Sequence, residues 1–346
     1  MGLNEKFFKS ADENEPFFNT VLYPGSLTAN EITGVGFSPD LVWLKQRNSA
    51  QNHGLFDTVR GTNNFIMSNS TSAENTRTTD TLSSFDDDGF TLTSYSSDAF
   101  INYTGRTMVA WCFKAGGAAV SNTDGSIASQ VSANVANGFS IVKWTGLGNA
   151  GQTVGHGLSD APELIITKSL NISGESWYTY SATAGNDKYL RLNSTSAAIT
   201  AQQAGYSSGA NWWNNTSPTN DVFSLGNIGE IMSYNHIAYC FHSVAGVSKV
   251  GSYVGNNNNI GPVVSTGFEP SFILIKASSR AGYWIMLDNK RNTSDPRDNP
   301  LYSNTNWAED INQINRVNFD ATGFQVVGTG GDVNDSGHTY IYLAIA

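Results

Sequence analysis

The sequence predicts an all-β protein: three tandem antiparallel β-sandwiches, jelly-roll-like, behind a short N-terminal arm. Three observations predict this. One pattern of about a hundred residues, the size of a domain, recurs three times along the chain. The apolar runs are short, β-branched and aromatic, with Gly, Asn, Asp and Ser clusters between them. No segment keeps apolar residues at i, i+3, i+4 and i+7 over the length a helix needs. With 346 residues the chain also exceeds what one hydrophobic core usually spans, so several units are expected.

In chain order the expected parts are an arm (1–18), a first repeat (19–116), a linker (117–137), a middle repeat (138–246) and a third repeat (247–346). The repeat is anchored by one motif, in which glycine and an apolar residue lead to a proline, an apolar run and a lysine. It reads Gly36-Phe-Ser-Pro39-Asp-Leu-Val-Trp-Leu-Lys45 in the first copy and Gly267-Phe-Glu-Pro270-Ser-Phe-Ile-Leu-Ile-Lys276 in the third. In the middle copy Gly157-Leu158 is followed by Pro162-Glu-Leu-Ile-Ile-Thr-Lys168, with two residues inserted before the proline. Proline and lysine are six residues apart each time. The run between them is apolar at nearly every position, as in a strand covered on both faces, and proline suits its first position. An aromatic followed by glycine precedes each motif (Tyr23-Pro-Gly25, Trp144-Thr-Gly146, Tyr253-Val-Gly255). A second apolar run closes each copy: Met108–Phe113, Ile237–Phe241 and Tyr340–Ile345. Hairpin turns precede two of these, at Asp88-Gly89-Phe90 and Thr322-Gly323-Phe324. Residues 114–137, rich in Ala, Gly, Ser and Asn, read as linker or long loop.

Charged residues make up 14% of the chain, against about 25% in ordinary domains. With 19 basic and 29 acidic groups the net charge is −10, which leaves no basic face for a nucleic acid. Cys112 and Cys240 fall at equivalent positions of two repeats and read as small core residues rather than a disulfide. No Cys/His spacing suggests a metal, and no cofactor is expected. No apolar run approaches the ~18 residues of a membrane span, and the start lacks a secretory h-region. The expectation is a soluble protein made in the cytosol and not inserted in a membrane.

Candidate chemistry is sparse. Gly146-Leu-Gly148-Asn-Ala-Gly151 fits a dinucleotide fingerprint, but a strand follows where the phosphate-binding helix should start. Asp86-Asp87-Asp88 reads as a solvated hairpin turn rather than a calcium site. Asp57 with Arg60 and Asp288 with Arg291 recur at one spacing and read as structural ion pairs, with Tyr180 standing at the aspartate's place in the middle copy. Histidines 53, 156, 236, 242 and 338 form no metal or catalytic set, and no residues are nominated as catalytic. Trp212-Trp213 in an Asn-rich stretch, with Tyr206 nearby and Trp307 in a similar setting, are candidates for stacking on sugar rings. Phe7, Phe8, Phe17 and Phe18 on the polar arm are candidates for anchoring into another subunit.

The pattern resembles an uncharacterised family of tandem-repeat proteins, frequent in tailed bacteriophages of marine bacteria and cyanobacteria and labelled virion, tail or fibre proteins. Its carriers are Gly36 through Lys45, Gly89-Phe90 with Ala110-Trp-Cys-Phe113, and Gly267 through Lys276, and the likeness spans about residues 20–346. It implies a non-enzymatic structural component of a phage particle, in the tail or on the capsid surface. Such a part would be assembled in the host cytoplasm and exposed on the virion. It would be present in symmetric copies as a homo-oligomer, partnered by other virion proteins and, through the tryptophans, by host surface glycan. The competing expectations are a lectin-like adsorption module and a polysaccharide depolymerase.

Overall fold

In the computed structural model, which describes residues 16–94, 100–228, 233–310 and 314–346, nearly all regular structure is antiparallel strand. Among the described residues no helix is long and apolar enough to cross a membrane.

The repeats share one wiring. In the first, the sheet runs Phe18–Pro24, Thr107–Phe113, Leu41–Gln46, Gly54–Asp57, so the closing strand lies between the opening and post-proline strands. The middle repeat repeats this with Phe139–Thr145, Asn235–Phe241, Leu164–Ser169 and Tyr178–Ser181. The third does so with Ser248–Val254, Thr339–Ile345, Phe272–Ala277 and Trp284–Asp288. A smaller sheet covers one face of each. Asn30–Ile32, Gly89–Leu92 and Leu82–Asp86 do so in the first, Val263–Ser265, Gly323–Val326 and Val317–Asp320 in the third, and Thr153–Gly155 with Val222–Ser224 in the middle. The glycines of the hairpin turns are required by close approach: a Cβ would lie 1.9 Å from Ile32 O at Gly89 and 2.0 Å from Val264 O at Gly323.

Strand alternation divides each post-proline run between two interiors. Val42 and Leu44 face their repeat's own small sheet, whereas Leu41 and Trp43 enter a second core common to all three repeats. Ile165 and Leu164 divide in the same way in the middle repeat, and Ile273 and Phe272 in the third. The common core holds Phe18, Phe113, Phe139, Phe241, Phe272 and Ile345 among others. Phe113 lies 4.8 Å from Phe18, 5.4 Å from Phe139 and 6.1 Å from Phe241, ring centre to ring centre. Burying an aromatic of this size stabilises by about 1.5–3 kcal/mol. The two-sided burial read from the sequence therefore holds, but the second cover comes from the other repeats.

Three expectations are corrected. Each repeat does not close its interior alone, since one face of every large sheet is sealed only by its neighbours. The segment read as linker contains two strands: Val120–Asn122 and Ser129–Asn134 extend the middle sheet beyond Phe139–Thr145. Its composition hid this because Ser129–Asn134 alternates small and polar residues with only Val131 as a sizeable apolar contact. Finally, Phe17 and Phe18 are buried in the common core and cannot anchor another subunit; Phe7 and Phe8 lie outside the described residues.

Candidate functional site

The repeats meet at three seams, and these hold most of the buried charged side chains. The motif lysines are where the pattern shows best. Lys45, Lys168 and Lys276 are each buried, at the end of the post-proline strand. Their Nζ atoms donate to backbone carbonyls: Lys45 to Gln46 (2.6 Å) and Ser49 (3.3 Å), Lys168 to Glu175 and Thr71, Lys276 to Gly282 (2.8 Å), Ala277 (3.0 Å) and Thr195 (3.1 Å). Thr71 belongs to the repeat before Lys168 and Thr195 to the repeat before Lys276. Burial pushes the ammonium pKa down to about 7 for Lys45 and Lys276 and to about 8 for Lys168.

A ring nitrogen crosses each seam beside the lysine. Trp177 Nε1 donates to Met67 O and Trp284 Nε1 to Arg191 O, both at 2.9 Å. His53 takes the same place in the first repeat. Its Nδ1 accepts from Trp43 Nε1 at 2.9 Å, which leaves Nε2 to donate to Tyr302 O at 3.0 Å. The backbone N–H of these three residues is met by Asn69, Asn193 and Asn304 Oδ1, at 2.9–3.0 Å. Two of those asparagines begin sequons, and the fold uses both as turn acceptors. A strap of each repeat then binds the next sheet: Glu74 N to Leu170 O, Ala198 N to Ser278 O, Glu309 N to Arg47 O. The first repeat thus holds the middle, the middle holds the third, and the third returns to the first.

The ion pairs read from the sequence sit on this ring. Arg60 Nε is 2.6 Å from Asp57, with Glu74 at 3.2 Å, and Tyr239 of the middle repeat donates to Asp57 at 2.8 Å. At the seam between the third and first repeats, Arg291 is 2.6 Å from Asp288, with Glu309 at 3.4 Å, and Trp111 donates to Asp288 at 3.0 Å. Strand register places Ser181, not Tyr180, at the position of Asp57 and Asp288. By the same reasoning Ala184, Ala198 and Leu343 replace the arginine, glutamate and tryptophan or tyrosine. Ser181 Oγ has no hydrogen-bond partner among the described residues. One seam has exchanged the whole polar set for small and apolar side chains.

The remaining candidates divide clearly. Trp212 and Trp213 are 2% exposed; Trp212 stacks on Tyr178 and Trp213 meets Tyr180 edge-on. They cap the middle repeat's own core, with Tyr206 half-buried against it, and offer no face to a sugar. The Asn-rich surroundings suggested exposure because sequence does not reveal that Tyr178, Tyr180 and Tyr189 converge beneath them. Trp307 stands apart, 48% exposed and packed on Tyr283 and Tyr302. Asp88 braces the loop after Asn30–Ile32 by accepting from Gly34 and Gly36 N–H. No group of three or more His, Cys, Asp or Glu able to hold a metal occurs among the described residues.

One constellation was not visible in the sequence. Ser279 Oγ lies 3.0 Å from His338 Nδ1, and His338 Nε2 lies 3.8 Å from Asp335. Its order suggests a nucleophile, base and acid, yet Ser279 Oγ also accepts from Thr339 N at 2.9 Å. Asn48 and Asn171 do the same for Thr107 N and Asn235 N in the other repeats. Position 279 therefore caps the closing strand, as its equivalents do. A surface concavity between Val59 and the strands 129–145 is lined mainly by apolar side chains and Lys143, with no carboxylate, histidine or cysteine.

A family model described as "Domain of unknown function (DUF7483)" matches residues 13–346. No curated protein and no solved structure matches the chain.

Proposed function

The chain belongs to the DUF7483 family, a domain of unknown function, and we propose, from its repeat pattern and its seams, that it is a non-enzymatic structural protein of a bacteriophage particle. In this reading it is a tail-fibre or appendage part, or a capsid-surface component, displayed on the virion in symmetric copies and assembled in the host cytoplasm. The sequence pattern described above suggests the setting. The observation that carries the structural role is the ring of seams. Lys168, Lys276, His53, Trp177 and Trp284 all direct side-chain N–H donors at carbonyls of a neighbouring repeat or of their own turns. That use of buried polar groups gives one fixed arrangement of three sheets, which suits a part that must hold its shape outside a capsid. Its partners would be other virion proteins and further copies of itself.

The test is deletion of residues 1–15, which stops short of the buried Phe17 and Phe18. The shortened chain should keep the full-length unfolding midpoint while failing to incorporate into particles assembled in an infected host. Incorporation at normal copy number would remove the assembly role of that segment, and absence of the full-length protein from purified particles would remove the virion reading itself.

A further inference from the structure

The three straps are equivalent in sequence position and bonding, so a residue that breaks their likeness stands out against two internal controls. The asparagine of each strap meets the N–H of His53, Trp177 or Trp284. Three residues after that asparagine stand Ser72, Ser196 and Trp307. In the first two straps the serine closes a small turn, bonding Ser70 or Ser194 at 2.9 Å. In the third an indole stands there, half exposed. The residue just before His53, Trp177 and Trp284 is Asn52, Ser176 and Tyr283 respectively. Tyr283 and Trp307 are thus both aromatic in the third repeat only, and they meet, with ring centres 5.1 Å apart and planes inclined at 53°. Tyr302 meets the indole edge-on, ring centres 5.9 Å apart.

The other seven tryptophans are all buried, at 5% exposure or less. Trp307 exposes roughly 100 Å², taking 150–250 Å² for the side chain. That is far below the ~800 Å² a partner contributes to a stable protein interface. It matches one face of a single pyranose ring. The rim is polar, with exposed Asn306 and half-buried Thr305 beside the indole, and amide and hydroxyl groups of this kind bond sugar hydroxyls. The protein's charge of −10 disfavours an anionic polymer.

We propose that Trp307 and Tyr283 form a stacking site for a neutral β-linked hexopyranose, such as a glucose or N-acetylglucosamine unit of a polysaccharide, whose axial hydrogens present an apolar face to the indole. The site stands apart from the virion reading, because it asks only what the exposed ring pair binds.

Fluorescence isolates it, since Trp307 is the one exposed tryptophan of eight. Cellohexaose or chitohexaose at millimolar concentration should shield the quencher-accessible emission from acrylamide, and polygalacturonate should not. By calorimetry Trp307→Ser should abolish binding, Trp307→Phe should retain a weakened form, and Tyr283→Ser should weaken it by up to roughly tenfold. Both serine variants should fold, because the chain already carries serine at both equivalents of Trp307 (Ser72, Ser196) and at one equivalent of Tyr283 (Ser176), the other being Asn52. Failure of both hexamers to shield Trp307, or undiminished binding by the Trp307→Ser variant, would overturn the proposal.

Discussion

Trp111 Nε1 donates to the buried carboxylate of Asp288, 3.0 Å away across 177 residues of chain. This bond joins the closing strand of the first repeat to the third, and its counterpart joins Tyr239 to Asp57 at 2.8 Å. Where the relationship would appear a third time, Leu343 and Ser181 stand instead. Both polar partners are lost together, along with the arginine and glutamate that complete the set. A buried ion pair stripped of one partner leaves an uncompensated charge, whereas replacing the whole set with well-packed small groups is close to neutral. The molecule contains both solutions.

The seam can therefore be exchanged as a unit. Asp57→Ser alone should destabilise by about 3–5 kcal/mol, because buried Arg60 loses its nearer carboxylate at 2.6 Å and keeps only Glu74 at 3.2 Å. The combined change Asp57→Ser, Arg60→Ala, Glu74→Ala, Tyr239→Leu copies the apolar seam and should cost much less than the single change. Urea unfolding of the two variants checks this; a quadruple variant less stable than the single one would defeat the argument.

Trp212 belongs to the core of the middle repeat, so Trp212→Ala should act on stability. The expected loss is about 3–5 kcal/mol, seen as a lowered unfolding midpoint. Binding of cellohexaose and chitohexaose to the fraction that remains folded should be unchanged.

The motif lysines make stability depend on pH. Burial holds Lys276 at about 7 in the folded protein, below the ~10.4 of the unfolded chain. Between these values the unfolded chain binds more protons, so stability should rise with pH across that window and the burial penalty should be complete below it. Thermal melts from pH 7 to pH 10 should show the rise, and Lys276→Met should shallow the slope. It should also lower the midpoint, since the carbonyls of Thr195, Ala277 and Gly282 lose their donor.

His236 adds an acid limb. Burial, and then the nearby charge of Lys168, push its imidazole down to about 3 as it stacks on Trp144, ring centres 5.0 Å apart. An unfolded histidine titrates near 6.5, so stability should fall as pH drops from about 6.5 towards 3. His236→Gln should flatten that limb in a pH series of unfolding midpoints; an unaltered limb would place the acid sensitivity elsewhere.

What the sequence determined by itself is local and periodic. The Pro-to-Lys run showed a strand with two covered faces, as at Leu41–Gln46, and the Asp57–Arg60 spacing showed an ion pair. The glycines Gly89 and Gly323 marked hairpins, and the matching positions of Cys112 and Cys240 marked core. These signals depend only on neighbours a few residues away, where backbone geometry dictates the contact. Tertiary structure alone decided what covers the second face of each sheet, and why the motif ends in lysine. It also decided that Trp212 and Trp213 turn inward while Trp307 remains in solvent. Those outcomes rest on pairs such as Trp111 with Asp288 and Lys168 with Thr71, which meet only because three sheets close around one core. Nothing in a strand's own sequence specifies which distant carbonyl will meet its lysine.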